Sequence, residues 1–394
     1  MTPKLAYIFS DNFFQYDLGI SHPMNRKRLV VAHKLMQELK IVESELSNVD
    51  IITPKKAEEE LVKKIHSEDY ISEIKRLSKE PGFNYKFGLG TNDCPVFPDL
   101  YETSMLIAGA TLIAGEVVLE ADYDYSFVMM GGLHHAFPNK AGGFCYLNDL
   151  AILIKKLQTQ GLRVAYIDTD LHHGDGTQHI FYDDPDVLTV SFHESGQFMF
   201  PGSGYPDELG EPDKAEGSSI NFPLYKYTHD EPYLHYFTKY IPTIVQQFNP
   251  DIVVWQAGVD AHQQDPMGHL LLSSFAYEKL ANVMKSLAKQ TSTGKMIVTG
   301  GGGYNPNSTS RMWSVEIGTL IEKKLPVQNP LPWIKFCKQY FQINLQYKLR
   351  DTPFTPEKIL DLYSIDFERI NSFNTKYEET FYDEVSKYYN IPSP

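Results

Sequence analysis

The chain has 394 residues, of which 42% are hydrophobic and 22% charged, a composition typical of a folded globular protein. Its formal net charge of −14 argues against binding to nucleic acid or to anionic membranes, because both need basic patches that neutralise phosphates. Three widely spaced cysteines, Cys94, Cys145 and Cys337, argue against a disulfide framework and against a cysteine-based zinc site.

Short apolar runs alternate with longer amphipathic ones along the chain. The apolar runs are rich in β-branched and aromatic residues and are followed by Gly, His or Asp, as expected for strands buried on both faces of a parallel sheet. The predicted strands are residues 5–9, 125–130, 163–168, 187–192, 251–256 and 295–299. Apolar residues three or four positions apart predict helices at residues 26–39, 58–77, 101–120, 147–160, 230–247 and 274–289. The alternation predicts an open, mostly parallel α/β sheet with helices on both faces.

The remaining segments bear on domains and location. Residues 79–100 and 196–224 are long and irregular, and loops of this length in a compact domain are usually functional or disordered. Their aromatic residues favour a functional role. We expect residues 1–324 to form one main domain and residues 325–394, rich in Tyr, Phe and Pro, to pack on it as an extension. The first ten residues lack a signal-peptide pattern, and no stretch approaches the ~20 apolar residues of a membrane span. We therefore expect a cytoplasmic protein.

The strongest cluster of reactive side chains follows the predicted strand at 163–168. Three aspartates and two histidines stand within eight residues: Asp168, Asp170, His172, His173 and Asp175. Buried carboxylates need compensation from a metal ion, an imidazole or solvent. Because alternate side chains of a strand share a face, Asp168, Asp170 and His172 should point together. An Asp and a His two residues apart are plausible ligands for zinc or another divalent ion. The plainer alternative is a solvated turn after the strand.

Three other predicted strands also end in reactive residues. His134 and His135 follow the run at 125–130, Asp260 follows the run at 251–256, and Tyr304 follows four glycines after the run at 295–299. Each could be structural when taken alone. Ligands of open α/β sheets bind beyond the carboxyl ends of the strands, so four such ends favour one shared site.

In this order the motifs resemble those of the zinc-dependent histone deacetylase family, and within it the bacterial acetoin-utilisation (AcuC-type) deacetylases. The resemblance runs from His22-Pro23 to Tyr304. Its pieces are Gly-Leu-His-His-Ala at 132–136, Gly-Gly-Phe-Cys-Tyr-Leu-Asn-Asp at 142–149, Asp-Thr-Asp-Leu-His-His-Gly-Asp-Gly at 168–176 and Gly-Gly-Gly-Gly-Tyr at 300–304. The resemblance implies the arginase–deacetylase fold, in agreement with the predicted strands and helices.

The resemblance implies that Asp170, His172 and Asp260 hold one catalytic metal ion per chain, either zinc or ferrous iron. Two carboxylates, one imidazole and an open position suit a catalytic rather than a structural site. Tyr304 would donate its hydroxyl to the developing oxyanion.

The resemblance also assigns roles to the paired histidines. His135 would be the principal general base and acid, and His134 would assist electrostatically while mostly protonated. Asp168 and Asp175 would orient His134 and His135, respectively.

Further residues would bind the substrate. Phe144 and Phe200 would wall a narrow acyl-lysine tunnel, Gly143 would leave room between them, and Met267 would close its rim. Asp93 would grip the substrate backbone. Arg28 would line an acetate exit below the tunnel. Core packing for the two phenylalanines, and a solvated surface charge for Asp93 and Arg28, are the plainer alternatives.

The family also binds K⁺ or Na⁺, mostly through backbone oxygens. By resemblance, one such site is formed by Asp168, Asp170, His172, Ser191 and Phe192. A second is formed by Phe181, Asp184 and Val187.

The substrate is either the acetyl-lysine of proteins, for which the bacterial resemblance suggests acetyl-CoA synthetase, or an acetylpolyamine. Two other classes remain as alternatives, a ureohydrolase with two manganese ions and a non-catalytic acyl-binding protein. We expect no nucleic-acid or membrane partner. The sequence leaves the oligomeric state open.

Overall fold

The fold is seen in a computed structural model that describes residues 2–42, 48–342 and 345–394. Within these residues, eight parallel strands form one sheet. They are β1 (Leu5–Ile8), β2 (Val49–Ile52), β3 (Tyr125–Val128), β4 (Val164–Asp168), β5 (Val187–Glu194), β6 (Ser219–Leu224), β7 (Ile252–Gln256) and β8 (Met296–Thr299). The order across the sheet is β2-β1-β3-β8-β7-β4-β5-β6. This confirms the predicted α/β fold class.

Helices connect and cover the strands. They are α1 (Lys27–Glu38), α2 (Glu59–Val62), α3 (Glu68–Lys79), α4 (Leu100–Glu120), α5 (Asp149–Gln158), α6 (Asp175–Ile180), α7 (Asp230–Phe248), α8 (Ser274–Thr291), α9 (Pro306–Leu320), α10 (Leu331–Phe341), α11 (Pro356–Tyr363) and α12 (Phe367–Val385). Two short 3₁₀ helices span Asp11–Gln15 and Tyr85–Phe87. The strands between the two sheet edges are fully buried, as expected for a parallel sheet covered on both faces.

The strand order brings the four predicted reactive strand ends together. Strands β3, β8, β7 and β4 are consecutive neighbours near the middle of the sheet. Because all four run parallel, their carboxyl ends lie along the same edge. The segments that follow them therefore meet over one stretch of that edge.

The single helix predicted for residues 58–77 is wrong in one respect. The structure has two helices there, α2 and α3, separated at Ser67, whose side chain accepts a hydrogen bond from Tyr70 N (3.4 Å) and so caps α3. The acidic residues Glu68 and Asp69 in the first turn favour a helix start at this point. Apolar spacing continued across the break and concealed it.

The sequence prediction missed both edge strands, and it did not place five of the described helices: α6, α9, α10, α11 and α12. Strand β6 lies within the segment 196–224, which was predicted to be irregular, and contains Pro223, a residue that sheets tolerate at an edge. Strand β2 is short and partly exposed, so it carries little apolar signal. Helices α6 and α9 follow directly on reactive motifs and were not predicted.

The C-terminal segment lies against the main sheet. Helix α12 packs on edge strand β6, and Ile370, Phe381 and Val385 on that helix are buried. The division into residues 1–324 and 325–394 stays a prediction.

One helix corrects the expectation that no segment is long and apolar enough to span a membrane. Helix α4 has 21 residues with a mean hydropathy of 1.5 over its most apolar stretch. It is the one such helix among the described residues, and 72% of that stretch is buried inside the molecule. Its apolar character therefore serves core packing against β1, β3 and α5.

Candidate metal and acid–base site

Two carboxylates and one imidazole converge beyond β4 and β7. One ligand atom each from Asp170, His172 and Asp260 lies within 4.8 Å of the others, and all three side chains are buried. Nδ1 of His172 is 3.1 Å from Oδ1 of Asp170 and 3.0 Å from Oδ2 of Asp260. The sequence predicted this set of ligands, and the structure brings the three side chains together.

Backbone and amide donors orient the two carboxylates. Asp170 Oδ2 accepts hydrogen bonds from Gln256 Nε2 (2.8 Å) and from the backbone N–H of Gly302 (2.7 Å). Asp260 Oδ1 accepts one from the backbone N–H of Leu171 (2.8 Å). A Cβ atom on Gly302 would stand 2.1 Å from Asp260 Oδ2, so only glycine permits this approach. The carboxylates are thereby held with their other oxygens toward His172.

The charges of this cluster fit a bound cation. Burial should raise the pKa of Asp170, but the charge of His134 and the hydrogen bond from His172 lower it well below its ordinary value. Burial and the charge of Asp170 raise the pKa of Asp260 to about 6. Burial opposes a charged His172, yet the two aspartates raise its pKa well above the ordinary value. Two buried carboxylates thus demand positive charge between them, and a divalent ion with oxygen and nitrogen ligands matches that demand.

The paired histidines form a chain of hydrogen bonds beside this cluster. His134 Nδ1 lies 2.7 Å from Asp168 Oδ2, and His135 Nδ1 lies 2.7 Å from Asp175 Oδ1. The two Nε2 atoms face each other at 3.0 Å. Each imidazole therefore has its own carboxylate on one side and shares a contact with the other imidazole, the pairing that the resemblance implied.

The two imidazoles differ in their electrostatic surroundings. Burial should lower the pKa of His134, but the charges of Asp168 and Asp170 outweigh it and raise the pKa to about 9. For His135, burial and the neighbouring charge of His134 lower the pKa to about 4. One ring therefore favours the charged form and the other the neutral form.

Tyr304 follows β8 and is held through its backbone. The N–H groups of Tyr304 and Asn305 donate to Asp265 Oδ2 at 2.6 and 3.2 Å. Burial and the charges of Asp260 and Asp170 raise the pKa of the Tyr304 phenol well above its ordinary value. The phenol therefore keeps its proton and remains a hydrogen-bond donor.

Aromatic rings border the catalytic side chains. The Phe144 ring meets that of Tyr304 edge-on, with centroids 5.6 Å apart, and Phe200 meets His135 edge-on at 5.0 Å. Phe200 is 49% exposed, so core packing does not explain it. Gly143 contacts His135 itself: a Cβ atom there would stand 2.2 Å from Cδ2 of that ring. The glycine was predicted to make room for substrate, and in the structure it makes room for the histidine.

Three remaining predicted residues lie around this centre. Arg28 is buried, which excludes a solvated surface charge: Nη2 donates to Gly301 O (2.6 Å), and its guanidinium lies over the Trp313 ring at 5.0 Å. Asp93 is half-buried and its Oδ2 accepts a hydrogen bond from Gly143 N (2.8 Å), so this carboxylate is tied to the protein. Met267 is half-buried in the segment that follows Asp260.

The sequence reasoning did not single out the residues that support the histidine pair. Asn148 Nδ2 donates to the carbonyls of His134 (3.3 Å) and Ala136 (3.2 Å). Asp149 accepts hydrogen bonds from the N–H groups of Gly132 (3.0 Å) and Leu133 (2.8 Å). The signal was available, because Asn148 and Asp149 end the motif at 142–149.

Comparison with known proteins agrees with this geometry. Residues 22–320 match the family described as "Histone deacetylase domain". The chain is 37% identical over 343 residues to the acetoin utilization protein AcuC of Bacillus subtilis (strain 168), covering 84% of this chain and 87% of that protein. It is 38% identical over 345 residues to AcuC of Staphylococcus aureus (strain MSSA476), covering 86% and 87%.

Solved structures share the fold over nearly the whole chain. One, described as an HDAC homolog from Aquifex aeolicus, superposes with a TM-score of 0.82 at 26% identity and covers 95% of this chain and 99% of that one. Another, an HDAC homolog complexed with SAHA, gives the same TM-score and identity and covers 96% and 100%.

Proposed function

The chain belongs to the histone deacetylase family, and from that premise we propose that it hydrolyses acetyl-lysine side chains of proteins to lysine and acetate. Membership and the AcuC relatives make it a deacetylase. The observation that carries the finer proposal is the convergence of Asp170, His172 and Asp260 beside a histidine pair that is oriented by carboxylates.

The proposed ligands are Asp170, His172 and Asp260, and the proposed ion is zinc, with ferrous iron as the alternative. When bound, a divalent ion supplies Lewis-acid polarisation of the amide carbonyl and lowers the pKa of a water molecule. Two carboxylates and one imidazole leave a coordination position open for substrate.

The histidines supply the acid–base chemistry. We assign His135 as general base, because its surroundings favour the neutral form and its Nδ1 is anchored on Asp175, so its Nε2 can take a proton from the attacking water. The same nitrogen then returns the proton to the leaving lysine amine. His134, anchored on Asp168 and 3.0 Å from His135 between the Nε2 atoms, stays mostly protonated and assists electrostatically.

Tyr304 and Arg28 are assigned to charge that develops on the acetyl group. The Tyr304 phenol would donate a hydrogen bond to the oxyanion, for which the neutral form of the phenol is required. Arg28 lies below Tyr304, with its guanidinium 5.7 Å from that ring. Its Nε and Nη1 have no hydrogen-bond partner among the described residues, so they suit the departing acetate.

Phe144 and Phe200 are assigned as walls of the acyl-lysine tunnel, with Met267 at the rim. Asp93 is assigned to the substrate backbone; its carboxylate binds Gly143 N through Oδ2 and retains acceptor capacity on Oδ1. An acetylpolyamine has no peptide backbone to engage Asp93. Protein substrates are therefore preferred in this proposal, with acetyl-CoA synthetase as the first candidate.

The deciding experiment compares wild-type kcat/KM on an acetyl-lysine peptide and on an acetylpolyamine, with metal content measured on the same sample. The proposal expects one metal ion per chain and a preference for the peptide. Asp170→Ala should lose both metal and activity, and retention of stoichiometric metal would contradict its place as a ligand. A preference for the polyamine would show that acetylpolyamines, and not acetylated proteins, are the substrate. Two metal ions per chain would contradict the single-ion site.

Three further assignments complete the proposal. K⁺ or Na⁺ would bind the backbone oxygens around Ser191 and around Asp184. Residues 1–324 would form the catalytic domain and residues 325–394 its extension. A cytoplasmic setting is supported by three free cysteines, all of them buried.

A further inference from the structure

Asp351 lies in the C-terminal segment, beyond the residues 22–320 that match the family, yet its side chain is only 2% exposed. Two hydrogen bonds fix the backbone at this residue and just before it. Leu349 N donates to Val327 O (3.1 Å), and Asp351 N donates to Ser274 Oγ at the start of α8 (2.8 Å). The C-terminal segment thereby delivers one buried carboxylate to the main domain.

Three side chains donate hydrogen bonds to that carboxylate. Arg311 Nη1 lies 2.9 Å from each oxygen of Asp351, and His262 Nε2 lies 2.9 Å from Oδ2. Gln346 Nε2 donates to Oδ1 (3.0 Å). The side chains of Arg311 and His262 are fully buried. Charged hydrogen bonds of this kind are short and geometrically specific.

His262 belongs to the loop that carries the proposed ligand Asp260. Nδ1 of its ring accepts a hydrogen bond from Gln264 N (3.1 Å), so Nε2 carries the proton that is donated to Asp351. His262 O accepts from Asp265 N (2.8 Å). The Asp351 carboxylate of the C-terminal segment therefore binds the turn at residues 260–265 through the His262 side chain.

Arg311 belongs to the segment that follows β8 and includes Tyr304. It lies on α9, which starts at Pro306, two residues after Tyr304. Arg311 Nε donates to Asn307 Oδ1 (3.3 Å) in the first turn of the same helix. Asp351 thus binds the turn that follows β7 and the helix that follows β8, which present Asp260 and Tyr304.

The turn at residues 260–265 and the segment that contains Tyr304 are also joined directly. Asp265 in the turn accepts hydrogen bonds from the N–H groups of Tyr304 and Asn305. Hydrogen bonds also join them from Asn305 Nδ2 to Gln264 O (2.8 Å) and from Arg311 Nη2 to Gln264 Oε1 (3.1 Å). Asp351 adds a carboxylate that binds both. Removing its charge leaves the Arg311 guanidinium buried without its counter-ion, which strongly disfavours the present arrangement. The turn and the helix would then shift relative to one another.

We propose that Asp351 is a positioning residue of the active site, through which the C-terminal segment holds the turn that carries Asp260 against helix α9, which begins just after Tyr304. This proposal rests on the proposed function. It makes the segment after residue 324 a working part of the catalytic centre instead of a passive cover.

The test uses the full chain with Asp351→Asn, which keeps the size of the side chain and removes its charge. Glu378→Gln is the matched control, because Glu378 also anchors the C-terminal segment through a buried ion pair, with Lys239 (2.7 Å), and lies on α12. Zinc affinity is measured by competition with a chelator, and kcat and KM are measured at saturating zinc.

We expect Asp351→Asn to lower zinc affinity by about tenfold and kcat by about tenfold, the scale of changes behind metal ligands. Glu378→Gln should leave both within about twofold of wild type at comparable thermal stability. Wild-type values in Asp351→Asn, or equal losses in both variants, would overturn the proposal. If Asp351→Asn does not fold, Gln346→Ala replaces it, since it removes one neutral donor to the same carboxylate, and unchanged zinc affinity and kcat there would again overturn it.

The zinc measurement separates this proposal from the proposed function. A wild-type protein that binds zinc but does not deacetylate the peptide contradicts the proposed function. In that case the zinc affinity of Asp351→Asn, compared with wild type, still tests the positioning role of Asp351.

Discussion

Nε2 of His134 lies 3.0 Å from Nε2 of His135, while Nδ1 of each ring is 2.7 Å from a different aspartate. Because the two Nε2 atoms are in direct contact, a change in the charge of one ring alters the protonation of the other. The histidines therefore act as a unit, and their contributions to catalysis should not add.

From this unit we predict the outcome of a double-mutant cycle. His135→Ala should lower kcat by about 10²–10⁴, the usual contribution of general acid–base catalysis, with metal content unchanged. His134→Ala should lower it less, and the double variant should be no worse than about twice the loss of His135→Ala alone. Steady-state kinetics on an acetyl-lysine peptide measure all three. Multiplicative losses would show that the rings work independently.

Removal of a single hydroxyl tests Tyr304. Tyr304→Phe should lower kcat by about 10²–10³, because one donor to the oxyanion is lost, while metal content and KM change little. Tyr233→Phe is the control, since the Tyr233 hydroxyl is buried and has no hydrogen-bond partner among the described residues. We expect that control to retain activity. Full activity in Tyr304→Phe would remove the proposed role of its phenol.

A matched pair of glycines tests the position of the His135 ring. In Gly143→Ala the new Cβ atom would meet His135 Cδ2 at 2.2 Å, and the φ of +53° at this residue is unfavourable for alanine. A Cβ atom added to Gly142 would lie 4.0 Å from His135 O, which is an ordinary van der Waals contact. We expect Gly143→Ala to lower kcat by at least about tenfold. Gly142→Ala should change it by less than about twofold.

Both glycine variants are compared by peptide kinetics and by thermal unfolding. We expect displacement of the His135 ring to lower kcat more than it lowers the unfolding temperature. Equal activity of the two variants would contradict the contact between Gly143 and His135.

His66 predicts a pH dependence of stability. The ring is buried: Nδ1 donates to Phe137 O (3.1 Å) and Nε2 accepts from Asn148 N (2.9 Å), and the second bond requires the neutral form. Burial lowers the pKa of His66 to about 4. Between about 6.5 and 4 the unfolded chain binds a proton that the folded protein does not, so stability falls as the pH falls through this window.

The loss amounts to about 3 kcal/mol at most, and it ends below pH 4, where both states are protonated. Chemical denaturation at a series of pH values measures it. His66→Gln should flatten the curve in this window, whereas His235→Gln, at an exposed position of α7, should leave it unchanged. An unaltered slope in His66→Gln would assign the effect to other groups.

Most of the strands could be predicted from local sequence. Buried strands of a parallel sheet read as short apolar runs, and β1, β3, β4, β5, β7 and β8 all appeared in this way. Edge strands β2 and β6 did not, because a strand that is partly exposed, or that contains Pro223, gives no such run. Apolar periodicity likewise could not reveal the break at Ser67, because a capped helix start leaves the spacing intact.

The reactive residues were visible in the sequence because each follows a strand, but only the tertiary structure decided how they meet. The order β3-β8-β7-β4 places His135, Asp170, Asp260 and Tyr304 along one edge, and strand order depends on long-range pairing that no local window contains. The burial of Arg28 and the grip of Asp351 on His262 were hidden for the same reason: Arg28 lies 273 positions before Gly301, and Asp351 lies 89 positions after His262. The sequence by itself fixed which groups can react, whereas the packing of distant segments fixed where those groups point.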